Sequence, residues 1–311
     1  SEDEAEIGLL LAGAIWQFWL VRGYVNEGRV WLMRVIEQAK SAPGLARARA
    51  LNGAGFLNWA WGDFQQANAL LHESLTIFRE LNDKYGIAWV LNHLGHVALA
   101  QNELALAYSL VQKSLASFRE LGSDWNIAWD LLNLGDIVRA QGDEPQAVAH
   151  YRESLELFRK VGDYRGTAWT LDHLGRLAST HQDYKQTMML LTESLSLFRK
   201  VGDKRSTAWV LNHLGGVALA QNDFQQARFY VEESLALFRE ISSFSNTTSA
   251  AIDLGRTALN LGDTAWELGE KDRAKVLFIE SLKLSQEAGD QQGVNEALGR
   301  IERFSHSSEG A

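Results

Sequence analysis

Residues 87–103 read Ile-Ala-Trp-Val-Leu-Asn-His-Leu-Gly-His-Val-Ala-Leu-Ala-Gln-Asn-Glu, and residues 207–223 read Thr-Ala-Trp-Val-Leu-Asn-His-Leu-Gly-Gly-Val-Ala-Leu-Ala-Gln-Asn-Asp. The two segments lie 120 residues apart and differ at three of seventeen positions. The chain between them keeps the same marks at a step of forty: Trp89, Trp129, Trp169 and Trp209, with a glycine series running from Gly55 through Gly95, Gly135, Gly175 and Gly215 to Gly255. Ser74, Ser114, Ser154, Ser194 and Ser234 follow the same step, and Phe78, Phe118, Phe158, Phe198 and Phe238 trail them by four. A period of this length marks a solenoid, in which each unit buries its apolar face only against its neighbours. The expected fold is all-α, an α-solenoid of antiparallel helical hairpins.

Working outward, repeats are expected at 45–84, 85–124, 125–164, 165–204 and 205–244, within one array covering 1–311. Each has a helix A and a helix B joined by a short turn such as Asn102-Glu103 or Gly142-Asp143, residues that adopt turn conformations readily. Residues 1–44 form a divergent, tryptophan-rich hairpin closed by the break Ser41-Ala-Pro-Gly44. In the next copy, 245–290, Gly255 holds the forty-residue register but the turn and helix B return seven residues late. Seven residues are about two helical turns, so helix A is expected to lengthen, to about 247–268, without rotating its apolar face. A capping helix over 291–304 and a tail over 305–311 complete the reading.

Composition narrows the function classes. Net charge is −9 with no basic block, which argues against nucleic acid as a partner. Two prolines leave the helices almost uninterrupted, and zero cysteines exclude disulfides and thiolate metal sites and fit a cytoplasmic setting. Ile7–Val21 is apolar apart from Gln17, but an acidic segment precedes it and it is too short to span a bilayer. It is expected to form a helix with an exposed apolar patch that an upstream domain covers, and no membrane partner is expected.

At about 100° per residue, Ala88, Leu91, Leu94, Gly95 and Ala98 share one face of helix A. That face is expected to pack on Ala107, Val111, Ser114, Leu115 and Phe118 of helix B. A glycine within a helix costs up to ~1 kcal/mol relative to alanine, so its recurrence points to close helix approach. Arg79, Arg119, Arg159, Arg199 and Arg239 end the B helices, where a cation complements the helix dipole by ~0.3–1 kcal/mol.

These marks resemble the tetratricopeptide repeat. Leu91, Leu94-Gly95, Ala98 and Ala107 fill that family's slots, and the regular copies do likewise except that Thr187 replaces the alanine. The family's common unit is about thirty-four residues, so these hairpins are longer, and its closing proline is absent. A narrower resemblance links residues 14–29 and 53–63, with the Phe-Arg-Glu-Leu repeats, to the C-terminal sensor arrays of bacterial STAND/LuxR-type signalling ATPases. That resemblance implies a non-catalytic sensor domain of a bacterial signalling regulator, with an upstream nucleotide-binding switch in the same polypeptide. No GxxxxGK[ST] phosphate loop or DNA-binding helix-turn-helix occurs in this sequence. A constitutive protein–protein interaction scaffold is the alternative function.

Tetratricopeptide arrays bind ligands on the face of helix A opposite its core, which lines the concave groove. In the second copy this face carries Trp89, Asn92, His93 and His96, and in the third Trp129, Asn133, Asp136 and Arg139. The fourth offers Trp169, Asp172, His173 and Arg176, and the fifth Trp209, Asn212 and His213. Indoles beside amides and imidazoles suit stacking on a flat ligand face with hydrogen bonds fixing its orientation. The competing reading is that each indole packs across the adjacent helix while the polar groups bond from repeat to repeat. The expected partner is a protein, a peptide or a small-molecule effector. Family members that bind chaperone tails clamp a terminal carboxylate with lysines, asparagines and an arginine; tryptophan takes one lysine slot here, so that clamp is not expected. No catalytic constellation or cofactor loop is visible, and His93 and His96 lack a third metal ligand at useful spacing.

Overall fold

The structure is a computed structural model that describes residues 2–39, 44–242 and 248–307. Residues 41–43 of the expected break and 308–311 of the expected tail lie outside the described residues. Among the described residues there are fifteen helices and no strand, and the chain divides into two compact units, residues 1–170 and 171–311.

The first unit contains α1 (Glu2–Arg22), α2 (Val25–Gln38), α3 (Gly44–Trp61), α4 (Phe64–Glu80), α5 (Lys84–Ala100), α6 (Leu104–Leu121), α7 (Asp124–Ala140), α8 (Glu144–Val161) and the start of α9 (Tyr164–Thr180). The second contains the rest of α9, then α10 (Tyr184–Val201), α11 (Lys204–Ala220), α12 (Phe224–Ser242), α13 (Thr248–Glu267), α14 (Lys271–Ala288) and α15 (Gln291–Ser307). In each unit successive helices form antiparallel hairpins, with odd-numbered A helices and even-numbered B helices from α3 onward.

Turn chemistry sets the helix ends. Asp63, Asp83, Asp143, Asp183 and Asp203 are N-caps whose carboxylates accept from the backbone N–H three residues on. The preceding helices close through a residue at positive φ, for example Gly62 at 98° and Asn82 at 54°. Inside the hairpins, the predicted face is the packed face. Ala88, Leu91, Leu94 and Ala98 are buried with Ala107, Val111, Leu115 and Phe118. A methyl carbon on Gly95 would stand 2.5 Å from Val111 Cγ2, so the helices touch where the sequence has no side chain. The recurrent serines are fully buried, and Ser74, Ser154 and Ser234 donate to the carbonyls of Ala48, Ala128 and Ala208 at 2.7–2.8 Å.

The register of the last hairpin needs correction. Gly255 continues the forty-residue series in sequence but does not stand at the close approach. A Cβ on Gly255 would meet Ser285 Oγ at 3.3 Å, whereas one on Gly262 would run into the Phe278 ring. Gly262 and Phe278 therefore take the places of Gly95 and Val111, and Gly255 takes that of Ala88. The seven extra residues precede Gly255, and α13 begins three residues ahead of the residue equivalent to Lys84.

Helix α1 is apolar on two faces. Leu9, Ala12 and Trp16 are buried in a cluster with residues of α2 and α3. Ile7, Leu11, Ile15 and Phe18 are exposed, Leu11 at 60%. The tryptophans face inward: a Cβ on Gly53 would meet Trp16, and one on Gly28 would meet Trp19. No helix among the described residues is long and apolar enough to cross a membrane.

Candidate binding face on the A helices

In the first unit the groove-face residues are engaged with one another. His93 is buried, and its Nδ1 lies 2.8 Å from Asn52 Oδ1 on α3. Asn92, also buried, donates to the carboxylate of Asp130 on α7. Asn133 Nδ2 donates to His96 Nε2 at 3.1 Å, and the Trp59 indole N–H donates to the His96 carbonyl at 3.2 Å. Aromatic rings fill the space between: Phe56 lies 4.3 Å from His93, Trp59 lies 5.0 Å from His96, and Trp89 stacks on His93 at 5.8 Å. Trp16 closes the cluster from α1, 5.7 Å from His93.

Electrostatics follow from this packing. Burial, with His96 nearby, holds the His93 imidazole well below its usual range. Burial brings His96 down to about 4, against the pull of Asp136. Asp130 is pushed up to about 7 by burial, against the hydrogen bond from Asn92. Asp136 accepts the Tyr151 hydroxyl at 2.7 Å, and Arg139 also reaches that hydroxyl. Trp129 is half-buried, edge-on to Phe158 at 5.0 Å, with its indole nitrogen buried and unpartnered.

The second unit repeats the inter-repeat bonds but leaves space beside them. Asp172, 1% exposed, accepts from His213 Nδ1 at 2.9 Å. Burial pushes Asp172 up, but His213, His173 and Arg176 together bring it below the ordinary carboxylate value. Asn260 Nδ2 donates to Asn212 Oδ1 at 3.0 Å. Trp209 is half-buried beneath the Arg205 guanidinium, 5.7 Å from its ring, and its indole N–H bonds Asp253. Beside the Asn212–Asn260 pair opens a cavity of about 280 Å³, lined by Arg176 and Ser179 of α9, His213 and Gly216 of α11, and apolar Leu191 and Val217. Arg176 is exposed and makes no hydrogen bond or ion pair among the described residues. No group of three or more metal-ligating side chains occurs among them.

Residues 86–160, 131–200 and 182–240 match the tetratricopeptide-repeat family model, and residues 255–287 match a second model of the same repeat. The chain is a tetratricopeptide-repeat protein. By sequence, no curated protein matches it. Its structure is similar to a Rap protein complexed with competence and sporulation factor, with TM-score 0.66, 12% identity, and coverage of 95% of this chain and 87% of that one. A second similar structure is a STAND signal-transduction ATPase with a tetratricopeptide-repeat sensor from Pyrococcus horikoshii. There the TM-score is 0.64 and identity 15%, over 99% of this chain and 48% of that one. A third is NprR in complex with its cognate peptide NprX, with TM-score 0.62 and 12% identity over 95% and 85%.

Of the fifteen tetratricopeptide groove residues named from sequence, Arg176, Asn212 and His213 meet at the cavity. Asp172 lies behind His213 and braces it. Trp89, Trp129, Trp169 and Trp209 are all half-buried, and those on α5, α7 and α11 pack on core rings or beneath Arg205. Sequence reasoning missed Asn260, because the seven-residue offset hides that it occupies the slot of His93. It also missed Gly216, which occupies the slot of His96, Asp136 and Arg176.

Proposed function

We propose that this tetratricopeptide array is a non-catalytic sensor that recognises a peptide or protein segment on the exposed face of its A helices. The observation that carries the reading is the cavity of the second unit, where an unpaired guanidinium, an imidazole and two carboxamides converge on open space. Carboxamides suit extended peptide, whose backbone offers one donor and one acceptor per residue. The Rap and NprR structures, similar in fold, hold a peptide or factor, which supports the same ligand class here. By analogy with the STAND protein, of which this chain spans 48%, the array reports to a nucleotide-binding switch in the same polypeptide. A constitutive scaffold would use the same face without reporting its occupancy.

The test is selection of a displayed random octapeptide library on the immobilised chain, followed by calorimetric titration of the enriched peptides. One enriched family binding at a single site, and lost in Arg176→Ala/Asn212→Ala, is the expected result. Enrichment no better than on heat-denatured chain, or binding that survives in the double variant, would overturn the proposal.

A further inference from the structure

The cavity traces to small residues where earlier copies carry large ones, Gly216 above all, with Ser179 in the slot of Trp59. Gly216 stands in the slot that carries Phe56, His96, Asp136 and Arg176 in the preceding copies. The segments 87–103 and 207–223 differ in their interiors only at this position, His96 against Gly216. A Cβ built on Gly216 meets nothing within 4 Å, unlike those built on the packing glycines Gly175 and Gly215. Gly216 is helical with ordinary negative φ, so neither turn geometry nor close packing accounts for it. The missing side chain leaves room for one from elsewhere.

The lining specifies what that side chain carries. Arg176 supplies a full positive charge, and no acidic residue lines the cavity. His213 is held by Asp172 through Nδ1, which fixes the ring orientation. Asn260 spends one N–H on Asn212 Oδ1, leaving further amide protons in the pair, and Ser179 adds a hydroxyl. Leu191 and Val217 form an apolar wall suited to a short methylene stem. Donors around a guanidinium, with the nearby Asp172 carboxylate behind the lining and engaged by His213, match a carboxylate.

Building on the peptide-recognition reading, we infer that the Gly216 cavity is an anchor pocket for one carboxylate of the bound peptide, paired with Arg176 and oriented by the Asn212–Asn260 carboxamides. The arrangement differs from a lysine-based tail clamp in using one arginine and a void made by glycine. The carboxylate is that of an acidic side chain or of a chain terminus.

The experiment titrates the full chain with Ac-Ala-Glu-Ala-NH₂, its Gln counterpart, and Ac-Ala-Ala-Ala with a free C-terminus, reading His213 and Asn260 side-chain resonances by NMR. Saturable shifts with the Glu or free-terminus peptide, and binding at least tenfold weaker with the Gln peptide, are expected; the stronger of the first two identifies the carboxylate source. In Gly216→His, which refills the cavity as His96 does its slot, both should vanish while the melting temperature holds or rises. Equal binding of the Glu and Gln peptides, unchanged shifts in Gly216→His, or no response to either carboxylate would overturn the inference. Arg176→Gln provides a second check, because it removes the charge without filling the space and should abolish the Glu/Gln discrimination. If library peptides enrich but bind Gly216→His undiminished, the anchor fails while peptide recognition stands. If no library peptide binds yet the carboxylate probes do, the reverse holds.

Discussion

Asp130 occupies a slot held by valine on α5 and α11, Val90 and Val210, and is fully buried there. Its carboxyl is raised to about 7 by burial, so the folded chain keeps a proton that the unfolded chain releases between its ordinary pKa near 4 and pH 7. Stability from this group therefore falls as pH rises through that window. Asp130→Asn should be more stable than the parent at pH 8, with the gap shrinking toward pH 5 in pH-dependent denaturant melts. A constant gap would contradict the assignment. His93 and His96 act in the opposite direction: both are depressed in the fold, so stability is lost as pH falls below about 6.5 toward the folded values. A His93→Gln/His96→Gln variant should show a flatter acid limb between pH 6.5 and 4, whatever its absolute stability. The indoles differ in the same local way. Trp129→Phe loses no hydrogen bond, whereas Trp209→Phe strips a donor from buried Asp253 and should cost about 1–3 kcal/mol more in a matched unfolding comparison.

At the scale of the hairpin, Gly262 and Gly255 offer a direct test of register. Gly262→Ala should destabilise by about 1–3 kcal/mol, because the Phe278 ring leaves no room for a methyl group. Gly255→Ala should cost clearly less than Gly262→Ala, since a methyl group there meets Ser285 Oγ at 3.3 Å, a tight contact that a small side-chain shift relieves, and alanine favours the helix by up to ~1 kcal/mol. Equal effects in thermal melts would restore the simple forty-residue register. The hairpins were legible from sequence because their packing repeats: Leu91, Gly95, Ala107 and Phe118 state one interface, and each copy restates it. The close approach of the last hairpin was misplaced because Gly255 happens to continue the glycine series while standing in the place of Ala88. The binding face was only partly legible. Its bonds join residues some forty apart, as Asn52 joins His93 and Asp172 joins His213, and a face drawn on one helix cannot show which groups are already used. The cavity was least legible of all, since its determinant at Gly216 is a side chain that is not there.

At the scale of the whole chain, the exposed side of α1 departs from a polar surface. Ile7, Leu11, Ile15 and Phe18 should bind a hydrophobic fluorescent dye, and Leu11→Ser/Phe18→Ser should reduce that signal with helicity retained by circular dichroism. Changing Trp16 would not serve, because it is 5% exposed and belongs to the core. The inter-repeat bonds carry a further consequence, for heredity. Genes made of near-identical segments lose and gain whole copies by misaligned exchange. Excision of residues 84–203 would join Asp83 to Lys204, so that one helix cap takes over the duty of another, Asp83 for Asp203. It would also bring His213 to the place of His93, opposite Asn52, where a histidine already serves. The shortened descendant would keep Gly216 and Asn260 but not Arg176, emerging folded and without its charged anchor. Lineages of this chain can thus change copy number in a single step and revise what they recognise in the same event.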